Sequence, residues 1–406
     1  MAADRFPRLE QRYFWLLVAI SASAIAIGLG AAHVMEVNGH AVTGMSNQIV
    51  WGMPHVFAIF MIVTASGVLN VASIGSVFGK PIYKARAPLS GLLSLALLAG
   101  GLMVLMLDLG RPDRVIVAAT HYNFKSIFAW NVFLYTGLFA VVGIYLWMLM
   151  ERRMNRHAKV AGLIAFVWRF ALTTGTGSIF GFLVARQAYQ SAVLAPMFIV
   201  MSFAWGLAVF LIVQSSMYAW NRIELDPAIQ RRMARLLGLF VVAVLYFVAV
   251  HHLTNLYFAR QLPFERFILL DGGAYTVVFW VGYVLAGTAV PLALLFSGSE
   301  GGARSVTLAA LLVVAGAFSL LYVFIIGGQA FPLDIFPGYA TSSSFFDGAI
   351  DQYTPSLPEI LLGLGGLGFA FLATTIGVRV LHFMPEDDFG SVRPLGPASS
   401  AGTRTQ

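Results

Sequence analysis

The chain has 406 residues, of which 59% are hydrophobic and only 11% are charged. Because a soluble domain carries about a quarter charged residues, this composition excludes a globular protein in water and indicates a polytopic membrane protein. The absence of cysteine excludes disulfides, cysteine-ligated iron–sulfur clusters, c-type haem attachment and thiolate zinc sites, and the net charge of +7 is spread over alternating loops, which leaves no basic patch for nucleic acid.

Ten apolar segments are predicted to cross the membrane as helices. A spanning helix needs about 20 apolar residues, and runs of this length are too long for the strands of a membrane barrel. The first run is also too long for the core of a signal peptide, so we interpret it as a retained helix. The predicted fold is therefore all-α, with helices at roughly 13–35, 53–78, 87–109, 126–150, 160–185, 193–219, 233–258, 274–297, 305–330 and 357–383.

The distribution of Lys and Arg predicts the orientation of the chain. Eighteen of the 25 lie at the termini or in loops on the same side as the termini, and six lie in the opposite loops. Since basic residues are retained in the cytoplasm, both termini are predicted to be cytoplasmic, in a bacterial inner membrane. The N-terminal segment is 1–12, and the tail 384–406, rich in Gly, Pro and Ser, is predicted to be disordered.

The longest loop on the opposite, periplasmic side is 331–356. It carries Asp334, Asp347 and Asp351, several aromatic residues and no basic residue. Loops of this length are usually functional or disordered. The aromatic residues favour an ordered docking surface.

The chain contains a weak internal repeat. "FAWNVFLYTG" (128–137) aligns without gaps with "VFWVGYVLAG" (278–287), which matches Trp130 with Trp280. An offset of four helices preserves direction across the membrane, so the repeats are predicted to be parallel. They predict two repeated four-helix bundles, 53–190 and 191–330, with a first helix and outer loop at 13–52 and a tenth helix at 357–383.

Polar residues are predicted to converge where several helices meet the periplasmic surface. Asp108 ends the third helix, and His55 lies about one turn inside the second. Ionisable residues in a membrane are costly and indicate function by default. The other polar residues predicted at this depth are His33, Glu36, Ser126, Trp130 and Asn131.

Asp108 allows two interpretations. A helix carboxyl end and partial burial both disfavour an anion, whereas Arg111 would favour it. A carboxylate balanced in this way could accept and release a proton near neutral pH. Alternatively, Asp108 forms a structural salt bridge that holds the loop after the third helix.

Other intramembrane polar residues leave further alternatives open. A b-type haem would need two facing histidines, and neither His33, His55, His251 nor His252 has a clear partner. Arg169, with Thr173 one turn later, could line a proton path or could be satisfied by carbonyl groups as a structural residue.

The motif "LDLGRPDR" (107–114), followed by "NFKSIFAWN" (123–131), resembles the polysulfide-reductase membrane-subunit family, also called NrfD-like. Further points of resemblance are Trp51 with Pro54 at the entry to the first bundle, and Arg186 before "LAPMF" of the second bundle. With ten helices, the chain looks most like the DsrP-type membrane subunit of the complex that accompanies dissimilatory sulfite reductase.

The resemblance implies a subunit that is not catalytic alone but exchanges electrons with menaquinone or ubiquinone. It implies a quinone site at the periplasmic end of the first bundle, with Asp108 as proton acceptor and His55 near the headgroup, where some members carry Asn. The residues predicted to line that site are His55, Asp108, Ser126, Trp130, Asn131, His33 and Glu36. No haem or iron–sulfur cluster is expected in this chain.

The resemblance also implies a periplasmic ferredoxin-like iron–sulfur subunit, with a multihaem cytochrome c and further membrane or cytoplasmic subunits in the complex. Arg111, Arg114 and Lys125, with His121 beside them, are predicted to dock the iron–sulfur subunit, since these three residues hold half of the periplasmic basic charge. The alternative functions are a secondary transporter or proton channel, and a purely structural anchor.

Overall fold

The residues that the structure describes form ten long helices. The computed structural model describes residues 11–221, 225–296, 303–333, 348–381 and 383. All ten helices are long and apolar enough to cross a membrane, as predicted, and no strand occurs in these ranges. They are α1 Gln11–Asn38, α2 Met53–Ser76, α3 Ala87–Leu107, α4 Ile127–Met150, α5 Ala158–Gly181, α6 Leu194–Trp220, α7 Pro227–Tyr257, α8 Ala274–Phe296, α9 Ala303–Ala330 and α10 Leu357–Leu381.

Some predicted features lie outside the described residues. These are most of the N-terminal segment, the tail 384–406, and Asp334 and Asp347 of the long loop. The part of that loop from 348 onwards is described.

Among the described residues of the second half, three stretches are π-helical. One precedes α8 (Phe267–Asp271), one forms the middle of α8 (Val278–Ala289) and one lies near the end of α9 (Tyr322–Gly327). A π-helix widens each turn by one residue and often marks a functional site. Hydropathy did not predict these stretches, because an apolar π-helix and an apolar α-helix have the same composition.

The helices pack as two groups of four in the same cyclic order. In the first group α2 contacts α3 and α5, and α4 contacts the same two helices; in the second, α6 contacts α7 and α9, and α8 contacts those two. Trp130 and Trp280 make the same contact, since each indole Nε1 donates at 2.9 Å to the carbonyl of a residue before its own helix, Phe124 or Leu269. These contacts agree with the predicted repeat.

Glycines allow the two groups to approach closely. A Cβ on Gly67 of α2 would overlap the carbonyl oxygen of Ser202 on α6, and one on Gly206 would overlap the carbonyl carbon of Gly67. Small residues let helix backbones touch, and van der Waals contact of this kind holds membrane helices together. This contact between α2 and α6, which we call the α2–α6 seam, therefore joins the two groups. The two remaining helices lie beside the first group: α1 packs on α10, and α10 packs on α3.

Alternate helix ends meet at one surface, which we call the Asp108 face. It contains the end of α3, the start of α2 and the end of α7. We call the opposite surface the terminal face.

The segment before α2 is held at the Asp108 face by the loops around it. Gln329 Oε1 accepts from the backbone N–H groups of Val50 and Trp51, and Arg186 donates to the carbonyls of Gln329 and Gln48.

Candidate functional site

Asp108 lies at the C-terminus of α3, where the chain changes direction. The backbone N–H of Asp108 donates to the carbonyl of Val104, so Asp108 is the last residue with a hydrogen bond of the α-helical pattern. Gly110 follows with a positive φ of 67°, a conformation that favours glycine at a helix end. The His40 ring packs against Gly110, so a Cβ there would lie 3.0 Å from His40 Cε1. The turn therefore directs the Asp108 side chain into the protein.

Asp108 and His55 form a buried acid–imidazole pair. His55 Nδ1 lies 2.9 Å from Asp108 Oδ2, and the Asp108 side chain is 0% exposed. The approach is not aligned as a linear hydrogen bond, so neither carboxylate oxygen has a partner of good geometry among the described residues. Since a buried anion is costly unless it is paired, the imidazole is the group that compensates this carboxylate.

The two sides of the His55 ring face different surroundings. Its Nδ1 side faces Asp108, but the side chain keeps 20% exposure, so the ring can be reached from outside. His40 is a second imidazole at the turn: its Nε2 lies 3.2 Å from the Asp108 carbonyl oxygen and 4.0 Å from Oδ1. Two imidazoles therefore flank the buried carboxylate, and the His55 ring links it to the exposed side.

Trp51 positions His55 from one side. The two rings are stacked with centroids 6.0 Å apart, and Trp51 also contacts Phe180 edge-on at 5.7 Å. The Trp51 backbone is held by Gln329, which accepts from its N–H and donates to its carbonyl, both at 3.0 Å. Hydropathy gave no signal for Gln329, because it is one amide in the apolar end of α9.

A second carboxylate fixes the start of α2. Tyr353 Oη accepts from the N–H of Met53 at 2.7 Å and donates to Glu359, which also accepts from Gly44 and Ser356. Burial and the Glu359 carboxylate raise the pKa of Tyr353, so its hydroxyl stays protonated and able to donate. Glu359 holds the surroundings of His55 in place and was not predicted from the sequence.

The other residues predicted at the site lie around the pair at varying distance. Asn131 is buried and donates to the carbonyl of Gly175 on α5, while its Oδ1 has no partner in the described part of the chain. Ser126 lies at the N-cap position of α4 without a side-chain capping bond, and Trp130 is 48% exposed on the outer surface of that helix. His33 and Glu36 are exposed on α1 and have no contact with Asp108 among the described residues. His40, two residues beyond the end of α1, lies closer to Asp108 than either of them.

Arg111 does not pair with Asp108. Its guanidinium bonds Asp113 in a two-pronged contact at 3.1 and 3.2 Å, and no contact to Asp108 occurs in the described chain. The hydrogen bond with Arg111 lowers the pKa of Asp113 and raises that of Arg111. The interpretation of Arg111 as partner of Asp108 is therefore wrong, because the turn at Gly110 separates the two side chains.

Arg169 lies in the middle of α5 among aromatic rings. Its guanidinium carbon is 4.9, 4.5 and 5.4 Å from the ring centroids of Phe166, Phe170 and Phe203. Thr173 donates back to the carbonyl of Arg169 at 2.8 Å and bonds the hydroxyl of Ser66. Cation–π contacts of this kind stabilise a buried guanidinium without an anion. The role of Arg169 and Thr173 in a proton path stays a prediction.

A second acid–imidazole pair lies at the Asp108 face of the second group. His252 Nδ1 is 2.6 Å from Glu265 Oε2, and Asn255 donates to the other oxygen at 2.7 Å. The two histidines of α7 were recognised as intramembrane residues from the sequence, but Glu265, which lies between membrane segments, was not. Its signal was an acid, followed by Arg266, in the otherwise apolar stretch "LPFERFILL" (262–270).

A row of rings connects the two pairs. From His55 it passes through Trp51 to Phe180, continues to Phe324 at 5.0 Å and reaches His251 at 6.5 Å, whose ring lies 5.5 Å from that of His252. Within the described ranges no group of three or more His, Asp or Glu side chains is arranged as a metal site. Acid–base chemistry by carboxylate–imidazole pairs is what this arrangement can support.

Comparison with known proteins identifies the family. The family described as "Polysulphide reductase, NrfD" matches residues 41–333, which include Asp108, His55 and both groups of four helices. The chain belongs to the NrfD family. The match covers well over half of the chain and ends where the long loop begins.

Three relatives of this NrfD protein belong to oxidoreductases by name. The Hdr-like menaquinol oxidoreductase integral membrane subunit of Archaeoglobus fulgidus is 30% identical and aligns with 92% of this chain and 94% of its own. A selenate reductase subunit of Mesobacillus selenatarsenatis is 21% identical and aligns with 92% of this chain and 94% of its own. A polysulfide reductase component of Wolinella succinogenes is 24% identical over 70% of this chain and 96% of its own.

Proposed function

We propose that this NrfD protein is the quinone-reactive membrane subunit of a multi-subunit electron-transfer complex. It exchanges electrons between menaquinone or ubiquinone and an extrinsic iron–sulfur subunit. The observation that carries the proposal is the buried Asp108, paired at 2.9 Å with a His55 ring that keeps 20% exposure. The menaquinol oxidoreductase relative supports the choice of substrate class.

The pair is suited to move a proton as quinol is oxidised. Oxidation of quinol to quinone releases two electrons and two protons. We propose that His55 takes up one of these protons on Nε2, the ring nitrogen opposite the carboxylate, while Nδ1 passes its own proton to Asp108. General acid–base catalysis by a positioned side chain contributes about 10²–10⁴-fold to a rate. Quinone reduction would run the same transfers in reverse.

Orientation and partners complete the proposal. The positive-inside distribution supports cytoplasmic termini and a periplasmic Asp108 face in a bacterial inner membrane. The iron–sulfur subunit would then cover that face, with a multihaem cytochrome c further out. Resemblance to DsrP-type subunits supports a role in sulfur metabolism, and the polysulfide reductase relative agrees with that class of chemistry.

The test of the site is Asp108→Asn. The amide keeps the shape of the side chain but accepts no proton, so quinol oxidation by the purified complex is expected to fall by about 100-fold. Subunit composition and detergent stability are expected to stay near wild type. Quinol turnover is measured with a water-soluble electron acceptor.

Asp271→Asn provides the matched control. Asp271 carries the same carboxylate but is 57% exposed and bonds Arg266 in the second helix group. Its replacement should leave turnover within about twofold, as expected for a site without contact to the pair. Assembled Asp108→Asn complex with wild-type turnover would exclude Asp108 as the proton acceptor.

A further inference from the structure

The second acid–imidazole pair belongs to a buried polar network of four side chains. His251, His252 and Asn255 lie in the last two turns of α7, and Glu265 lies in the short helix Leu262–Arg266 that follows. His252 contacts one oxygen of Glu265 and Asn255 the other, while Asn255 Nδ2 also lies 3.3 Å from His251 Nε2. The network is continuous from one histidine to the other.

The charge of Glu265 is compensated within this network. Its side chain is 0% exposed, and the neighbouring Arg266 points outwards and bonds Asp271. The other titratable side chains close by are Tyr189, bonded to carbonyls of α9, and Tyr283, whose ring contacts Phe279. Because a buried anion needs a compensating charge, His252 is the group that can supply one by holding a proton.

His251 has a buried donor without a partner. It is 3% exposed, and its Nδ1 makes no hydrogen bond in the described part of the chain. Asn255 must donate from Nδ2 to the Glu265 carboxylate, so the same amide group faces His251 Nε2 as a donor. His251 therefore accepts on Nε2 and carries its proton on Nδ1. An unpaired N–H at this depth is costly unless a ligand accepts from it.

A small cavity lies against this network. It measures about 20 Å³ as the space open to the centre of a water molecule. One bound water needs roughly 10–15 Å³ by this measure, so the cavity is large enough for one water and too small for a quinone ring. All three π-helical stretches contribute to its walls, which include Ile268, Phe279, Val323 and Phe324 beside His251 and His252.

We propose that this network binds one water molecule at His251 and forms a second protonatable site, in which His252 and Glu265 share one exchangeable proton. The proton is taken up from water at the Asp108 face and returned to it, so no electron transfer is involved. The π-helical turns keep the cavity open, because straight α-helical walls would draw the side chains together. This site lies in the second helix group and goes beyond the proposed quinone site.

Infrared difference spectroscopy of the full chain in lipid nanodiscs tests the proposal. Spectra are recorded between two pH values on an attenuated-reflection cell, in H₂O and in H₂¹⁸O. The wild type is expected to show a carboxyl C=O band that Glu265→Gln removes and Asp108→Asn retains. It is also expected to show an O–H band that shifts in H₂¹⁸O and is lost in His251→Phe.

Two further measurements keep the result decisive. If Glu265→Gln does not fold, His252→Gln keeps the carboxyl group and should shift its band instead of removing it. Quinol turnover of the complex carrying Glu265→Gln should stay within about twofold of wild type, because the variant is remote from Asp108. A carboxyl spectrum unchanged by both variants, or no H₂¹⁸O-sensitive band that depends on His251, would overturn the proposal.

Discussion

At the scale of single residues, His55 determines whether a carboxylate can be buried at position 108. The Asp108 side chain has no exposure, and the imidazole that contacts it lies at 2.9 Å. A buried carboxylate that loses its partner keeps its desolvation cost without compensation. The pair should therefore contribute to stability as well as to proton transfer.

His55→Ala is expected to lower the free energy of unfolding by about 1–3 kcal/mol, the cost of leaving a buried polar group unsatisfied. In Asp108→Asn chains the same replacement should lower the free energy of unfolding by less, since no buried charge then loses its partner. Thermal unfolding of the four chains, wild type, both single variants and the double variant, measures the coupling. The control is His33→Ala, an identical change on the exposed surface of α1. Equal losses from His55→Ala in both backgrounds would contradict the pairing.

The sequence could predict this pair but not its neighbours. Asp108 and His55 were found because ionisable residues are rare within apolar helices. Arg111 was misjudged because spacing along a chain does not show that Gly110 turns backwards, with φ at 67°. His40 was missed because it lies beyond the end of α1, where no helical periodicity constrains a side chain.

At the scale of helices, the α2–α6 seam depends on the absence of side chains. Gly206→Ala would drive a Cβ into the backbone of Gly67, and neither backbone can withdraw without separating the helices. Overpacking of this kind typically costs about 1–3 kcal/mol or more. We expect the variant to lower the thermal unfolding temperature and the yield of assembled protein.

Gly143→Ala is the matched control for the seam. Gly143 lies within α4, and a Cβ there would meet no described atom within 4 Å. This change should be neutral or stabilising by about 0.5–1 kcal/mol, because alanine has the higher helix propensity. If both variants had the same stability, the close contact between α2 and α6 would not be what holds the seam.

Helix positions were predictable because lipid requires long apolar runs, whereas details of helix geometry were not. The predicted ends agree within a few residues for most helices, and α7 begins well before its predicted start because Asp226 caps it there, where its side chain accepts from Ala228. The π-helical stretches depend on packing between α7, α8 and α9, which hydropathy does not contain. Glu265 was missed for the same reason, since only the fold brings it to His252.

At the scale of the whole molecule, the Asp108 face carries a positively charged loop, which we predict to dock a partner subunit. Arg111 is neutralised by Asp113, whereas Arg114 and Lys125 are exposed and form no ion pair with a described residue. The described part of the loop 331–356 lies on the same face, where Asp351 accepts from Ser46 at 2.6 Å. This contact packs the loop against the segment before α2.

Reversal of this charge should release the extrinsic iron–sulfur subunit. The double variant Arg114→Glu with Lys125→Glu is expected to lose the subunit at moderate salt. The reversed charges repel an acidic partner surface, and dissolved salt screens the attraction that the remaining exposed charges provide. Co-purification over a salt series measures the loss. The control is Arg156→Glu with Lys159→Glu, an equal change of exposed charge on the terminal face. Full recovery of the subunit at high salt would contradict docking at this loop.

The row of rings between the two acid–imidazole pairs has a consequence for how they communicate. Trp51, Phe180 and Phe324 carry no group that takes up and releases a proton at physiological pH, so the row blocks proton hopping from one pair to the other. The two pairs are therefore expected to exchange protons separately with the Asp108 face, and not with each other.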